Sequence, residues 1–266
     1  MTIKFTKISQ MFLNYFIATL IGDKNLKWYE SIDWEEEITH FQRPLFTYPS
    51  YYTSVNYHGI PQGYLNSIAA ITYDIITPLA TLPYEQWIRQ CLLNEISFKP
   101  KKILDLGCGT GSNTIKLKQI FSEALVTGLD LSPYMLIMAE KKAEDKNLEI
   151  QWKHGLAEAT EMLTNSYDLI TISLLLHETP NSISQLIIKE SFRLLKPQGQ
   201  LIILDANQNR LKHLQLLIKL FREPYSAIYA QGNLKQWLEN VGFLTISVKP
   251  VWGIYQVTST YKPETF

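Results

Sequence analysis

The nine residues Ile103-Leu104-Asp105-Leu106-Gly107-Cys108-Gly109-Thr110-Gly111 constrain this 266-residue chain more than any other stretch. A short apolar run ends in a glycine-dense turn, and the residues that follow, Asn113 to Phe121, have helical spacing. Strand, loop and helix in that order are the grammar of a nucleotide-binding α/β fold. Three glycines in Gly107-x-Gly109-x-Gly111 let the backbone turn tightly and approach a ligand closely, because no Cβ intervenes. The helix after the loop points its unsatisfied N–H groups at whatever binds there, which favours an anionic group.

The details of the loop say which nucleotide. A dinucleotide fingerprint reads Gly-x-Gly-x-x-Gly, whereas here Ser112 follows Gly111 and the third glycine falls one residue early. Asp130 stands nineteen residues past Gly111, at the end of the next strand, where a carboxylate accepts hydrogen bonds from ribose hydroxyls. Asp105, two residues before Gly107, would repel a pyrophosphate but favours an ammonium group. A ligand with adenosine, a carboxylate and an ammonium is S-adenosylmethionine.

From Lys101 onward strands and helices alternate. Strands are expected at Lys102 to Leu106, Ala124 to Leu129, Leu148 to Trp152, Tyr167 to Leu175 and Gln200 to Asp205. Helices are expected at Asn113 to Phe121, from Ser132-Pro133 to about Lys146, and at Ser182 to Leu195, Leu211 to Leu220 and Asn233 to Val241. The nearly continuous apolar run at Tyr167 to Leu175 suits a strand buried on both faces of a parallel sheet. Leu244 to Pro250 and Ile254 to Tyr261 form an antiparallel pair at the end. The pattern gives an α/β, doubly wound, Rossmann-like sheet.

Four motifs in order carry a family resemblance: Asp105-Leu-Gly107-Cys-Gly109-Thr-Gly111, Leu129-Asp130-Leu131-Ser132, Tyr167-Asp168-Leu169-Ile170 and Leu194-Leu195-Lys196-Pro197-Gln198-Gly199. Together they resemble the class I methyltransferases, closest to the small-molecule and quinone methylating subgroup, over roughly Lys101 to Tyr261. The resemblance implies a seven-stranded sheet, mainly parallel with an antiparallel last strand. It implies S-adenosylmethionine held by Gly107, Cys108, Gly109 and Gly111, with Asp105 behind them and Asp130, Leu131 and Met135 beyond the second strand. Tyr73 and Ser173 complete the expected donor site. Tyr73-Asp74 is similar to a Tyr-Asp pair that closes over the methionine end. One departure concerns adenine: where relatives often carry Gly-Asp-Ala, this chain reads Gly155-Leu156-Ala157-Glu158, leaving the contact to backbone at Leu156 and Ala157 or to Glu158.

Residues 1 to about 95 have another texture and are expected to form a lid and acceptor-binding segment, with residues 96–266 as the donor-binding domain. Between Arg43 and Tyr64 lie three prolines, two glycines and six aromatics, which suit an ordered, loop-rich cover. Tyr57, His58, Tyr64, Trp87 and His177 are the candidates for contact with the acceptor. Asn66 to Asn94 reads as helical, broken near Pro78 and Pro83. Met11 to Gly22, preceded by Lys4 and Lys7, is too short to span a bilayer and reads as a buried or surface-docked amphipathic helix.

Lys+Arg and Asp+Glu are both 25, and a net charge of zero disfavours nucleic acid as a substrate. The two cysteines, Cys91 and Cys108, form neither a disulfide framework nor a metal cluster, so no metal is expected and a reducing, cytoplasmic setting fits. His177 follows a strand at the ligand-binding edge and is the candidate general base. These readings converge on methyl transfer to a small aromatic or lipophilic acceptor, with oxygen slightly favoured. The alternatives are C-methylation of a prenylated quinone, with the N-terminal helix as a peripheral membrane anchor, and a non-catalytic S-adenosylmethionine-binding module. Oligomeric state is not legible.

Overall fold

A computed structural model describes residues 22–60, 62–80 and 85–264. The helix expected over Met11 to Gly22 lies outside these residues except for Gly22, and so does Pro83. Seven strands form one sheet: β1 (Lys102–Leu106), β2 (Leu125–Asp130), β3 (Gln151–His154), β4 (Tyr167–Ser173), β5 (Leu195–Ala206), β6 (Leu244–Val251) and β7 (Tyr255–Tyr261). Their spatial order is β3-β2-β1-β4-β5-β7-β6. β1 to β5 are parallel, and β7 runs antiparallel to both β5 and β6. This is the expected Rossmann-like methyltransferase sheet.

Alternation along the central strands feeds two cores. Ile170, Ile172, Leu201 and Ile203 face one side, with Ile187, Ile188 and Leu194 of the helix Asn181–Leu194 packed on them. Leu169, Ile202 and Leu204 face the other, against Ile88 and Leu92 of the helix Glu85–Leu93 and Leu117 of the helix Ser112–Ile120. Successive residues point to opposite faces, so a strand apolar throughout is one covered by helices on both sides.

Several boundaries moved. β3 begins three residues later than expected, at Gln151. β5 starts at Leu195, pairs there with Tyr167, then bulges through Lys196 to Gly199 before rejoining β4 at Gln200. The turn read from Lys-Pro-Gln-Gly is therefore real, but it interrupts a strand. The single helix expected at Leu211 to Leu220 is two pieces, Gln208–Leu211 and Gln215–Phe221. The helix Ser67–Ala80 continues through Pro78, where a break was expected. A proline within a helix removes one backbone hydrogen bond, to the residue four before it.

The first segment has more helix than its texture suggested: Asp23–Ser31, Trp34–Phe41 and the short Ser50–Thr53. Asp33 caps the second of these, its carboxylate accepting from the amides of Glu35 and Glu36. No helix among the described residues is long and apolar enough to cross a membrane.

Candidate functional site

The parallel strands end together on one edge of the sheet, and the order reverses between β1 and β4, which is where open α/β sheets bind ligands. The glycine loop is built here by short local bonds. The amides of Gly107 and Cys108 donate to the carbonyl of Leu129 at 2.8 and 3.0 Å, and Gly111 N–H donates to Cys108 at 2.9 Å. Gly109 sits at φ +53, and a Cβ added there would meet nothing within 4 Å. Gly111 sits at φ +74, and a Cβ there would lie 2.6 Å from the Trp152 ring. The middle glycine thus leaves space for a ligand, while the last lets the helix pack on β3.

Asp130 closes the loop on the other side. One carboxylate oxygen accepts from Gly109 N–H at 2.7 Å and the other from Ser132 N–H at 2.8 Å. Burial raises its pKa to about 6, against the lowering effect of those two amides. Asp105 is fully buried behind the loop, accepting from the hydroxyls of Thr114 and Thr171 at 2.6 and 2.7 Å. Burial raises its pKa, opposed by those hydroxyls and by the charge of Arg89.

A cavity opens between this loop and the aromatic segment. Its charged lining is three carboxylates, Asp130, Glu158 and Glu178, against one guanidinium, Arg89. Arg89 is buried, paired with Glu85, and donates to the Ser173 hydroxyl at 3.0 Å. Tyr51, Tyr52, Tyr57, Tyr64 and Tyr73 form the facing wall. Tyr51 donates to Glu158 at 2.7 Å, while the buried Tyr57 hydroxyl has no hydrogen-bond partner among the described residues. The helix Ser67–Ala80 is latched to the loop through Asp74, which accepts from Thr110 and Lys142 at 2.7 Å each.

A second, more apolar cavity adjoins the first and shares Tyr64, Tyr73, Leu174 and Glu178 with it. His58, Ile60, Ile76, His177, Leu220, Phe221 and Tyr255 are among its lining residues. At the junction Glu178 accepts from Tyr64 OH at 2.9 Å and pairs with His58 Nε2 at 3.1 Å. Burial works to raise the Glu178 pKa, but the bonds from His58 and Tyr64 and the charges of His58 and His177 hold it below the ordinary range. His177 Nδ1 lies 2.6 Å from the fully buried carboxylate of Asp205. Burial opposes charging His177, yet Asp205, with Glu223 and Glu178 beyond it, raises its pKa to about 10. Leu174, at φ +56, makes the sharp bend from β4 into this junction. A left-handed conformation is costly for leucine, and such strain collects at functional sites.

Residues 103–199 match the family model of the methyltransferase domain. A demethylmenaquinone methyltransferase of Lactobacillus johnsonii is 35% identical over 59% of this chain and 64% of its own length. The chain thus spans less than two thirds of that relative. A second demethylmenaquinone methyltransferase, of Staphylococcus epidermidis, is 33% identical over 64% of this chain and 73% of its own length. The chain belongs to the class I S-adenosylmethionine-dependent methyltransferases. The fold agrees: phosphoethanolamine N-methyltransferase 2 of Haemonchus contortus, solved with S-adenosylhomocysteine, superposes with a TM-score of 0.56 at 14% identity, over 77% of this chain and 62% of its own.

Within this methyltransferase fold, Tyr73, Gly107, Cys108, Gly109, Asp130, Leu131, Met135, Leu156, Ala157 and Ser173 all line the first cavity, as does Tyr57. Asp105 and Gly111 stand behind it as supports. Tyr64 lines both cavities, whereas His58 and His177 line only the second. Trp87 lines neither, being half exposed and packed on Trp252 at 5.9 Å. Glu158 begins no helix; Leu156 and Ala159 form an isolated bridge around it. Arg89, Glu178 and Asp205 were missed. Arg89 lies on the helix before β1, outside the motifs that carry the resemblance, and Glu178 and Asp205 acquire meaning only through partners distant in sequence. A signal existed for one of them, because Asp205 ends an apolar strand at the ligand-binding edge just as Asp130 does.

Proposed function

We propose that this chain transfers a methyl group from S-adenosylmethionine to the ring of a small, lipophilic hydroquinone. The observation that carries the reading is the pair of adjoining cavities, one acid-lined and one apolar, that meet at Glu178. The donor has a sulfonium, an ammonium and a carboxylate, two positive charges and one negative. A lining with three carboxylates against one guanidinium suits a ligand of net positive charge. The pyrophosphate of a dinucleotide would be repelled by the same three groups.

The residues present fit the donor. Asp130 would accept from the ribose hydroxyls and Arg89 would pair with the methionine carboxylate. The backbone at Leu156 and Ala157 would face adenine, with Glu158 as the polar group beside them. The unpartnered Tyr57 hydroxyl and the open space at Gly109 are what a ligand would satisfy and fill. When bound, the sulfonium supplies a methyl group already activated for in-line displacement.

What remains for the protein is alignment and proton handling. Holding donor and acceptor in line is worth on the order of 7–11 kcal/mol at best. The tyrosine wall excludes water from the line of transfer. His177, whose pKa the Asp205 carboxylate raises to about 10, is charged below that pH and favours an acceptor bound as its aryloxide, the hydroxyl proton having been released to solvent on binding; this role differs from the general base expected from sequence. An aryloxide concentrates charge on the ring carbon beside it, and that carbon must lose a proton after the methyl has joined it. Glu178, ionised and at the junction, is placed to accept that proton. The names of the two curated relatives support carbon as the accepting atom; the oxygen favoured by sequence alone has no support among them.

The test uses donor carrying a deuterated methyl group, with a short-chain prenylated naphthoquinol lacking its ring methyl and, separately, a catechol. Label on a ring carbon of the naphthoquinol is the expected result. A methyl ether from either compound would restore the oxygen reading. Donor binding with no transfer to either would point to a non-catalytic binding module.

A further inference from the structure

The mouth of the second cavity is more apolar than a surface exposed only to water has reason to be. Leu220 and Phe221 line the cavity and are 71% and 37% exposed; Leu216, one turn earlier, is 80% exposed. Across the mouth Ile76 is 47% exposed. The exposed Trp252 belongs to the turn whose Ile254 carbonyl accepts from Asn207 N–H at 2.8 Å, and Trp87 packs against it. Leu211 and Ile218 of the same segment are buried, so it already has an inner apolar face, and Leu216 and Leu220 make a second one turned outward.

Charge sets this segment apart as well. Between Asn207 and Arg222 the sequence holds Arg210, Lys212, Lys219 and Arg222 and not one aspartate or glutamate, in a chain whose net charge is zero. All four cations are exposed. The segment is joined to the site, because His58 N–H donates to the Arg222 carbonyl at 3.2 Å and His58 Nδ1 lies 3.0 Å from the Phe221 carbonyl.

We propose that residues 207–222 are a docking surface for an anionic lipid bilayer, set so that a lipophilic acceptor passes from the membrane directly into the second cavity. The inference rests on the lipophilic acceptor argued above. A basic segment with outward leucines binds at a bilayer interface through both terms, apolar burial and attraction to anionic headgroups. Aromatic residues such as Trp87 and Trp252 suit the headgroup level. A nucleic acid would engage the cations but leave Leu216 and Leu220 in water, so the outward leucines select the bilayer.

The test measures co-sedimentation of the full chain with vesicles of phosphatidylcholine alone and of phosphatidylcholine with phosphatidylglycerol. Binding is expected to the anionic vesicles and to fall in high salt. Lys212→Glu with Lys219→Glu should weaken it by about 30-fold or more, since each cation near such a surface is worth about 1 kcal/mol. Adding Leu216→Ser should weaken it further. None of these three side chains lines either cavity, so transfer to a short-chain, water-soluble acceptor without vesicles should be unchanged in the variants. No binding by the unaltered chain, or equal binding by the triple variant, overturns the proposal. Transfer without vesicle binding sinks the docking surface and leaves the acceptor reading standing. Vesicle binding lost in the variants, with no transfer to any hydroquinone, does the reverse.

Discussion

Two carboxylates at the strand ends do opposite things, and pH separates them. Asp130 has its pKa raised to about 6 by burial, and it is the group proposed to accept from the donor's ribose. Below that pH it gains a proton and accepts less well, so donor affinity measured by calorimetry should fall as pH drops from 7 to 5. Asp130→Asn should cost about 1.5–3 kcal/mol of donor binding, the worth of hydrogen bonds to a charged group. It should also abolish the pH dependence. Asp205 instead keeps His177 charged. The folded-state pKa of His177 lies above its ordinary value, so its stabilising contribution is complete below about pH 6.5 and is lost as pH rises toward about 10. Urea midpoints should decline across that window, and Asp205→Asn should remove the part of the decline due to this pair.

At the scale of elements, the glycine loop is readable from sequence because the backbone bonds that shape it stay within the loop or reach the next strand. Gly107, Cys108 and Gly111 bond within the loop or to the next strand, and Asp130 follows by one strand. The acceptor side is different. Glu178 draws Tyr64 and His58 from 114 and 120 residues away, and nothing near Glu178 in sequence announces either. Arg89 is likewise fixed by Ser173, 84 residues distant. Trp87 misled because an aromatic beside a site and an aromatic on an outer rim look the same in a sequence. The Lys196 to Gly199 turn was legible as a turn, whereas its place inside β5 depends on pairing with Tyr167. Gly111 ties local geometry to packing: Gly111→Ala would force a left-handed alanine against Trp152. Overpacking costs about 1–3 kcal/mol and the left-handed conformation about 1–2 more. For a domain of this size, calorimetric unfolding should shift down by about 4 °C or more.

At the scale of the whole molecule, the sheet fixes one edge for all the chemistry and the described residues between 43 and 80 cover it. His154 shows how the cover is fastened. Its ring accepts from Arg43 N–H and bonds the Leu131 carbonyl at 2.9 Å, and Phe46 packs edge-on at 4.2 Å. The Asp74 latch does the same on the other flank of the loop. A polar donor chamber, an apolar acceptor chamber and a basic, leucine-bearing mouth then follow one another along this edge, which is the order a lipophilic substrate would need. The crystal structure of a ternary complex with S-adenosylhomocysteine and a short-chain naphthoquinol tests that arrangement most directly. The expected result has the ribose on Asp130, the sulfur turned toward Glu178, and the quinol ring in the second cavity with a hydroxyl at His177. A nucleoside seated away from Asp130, or a quinol ring separated from the sulfur by the Tyr64–Tyr73 wall, would contradict it.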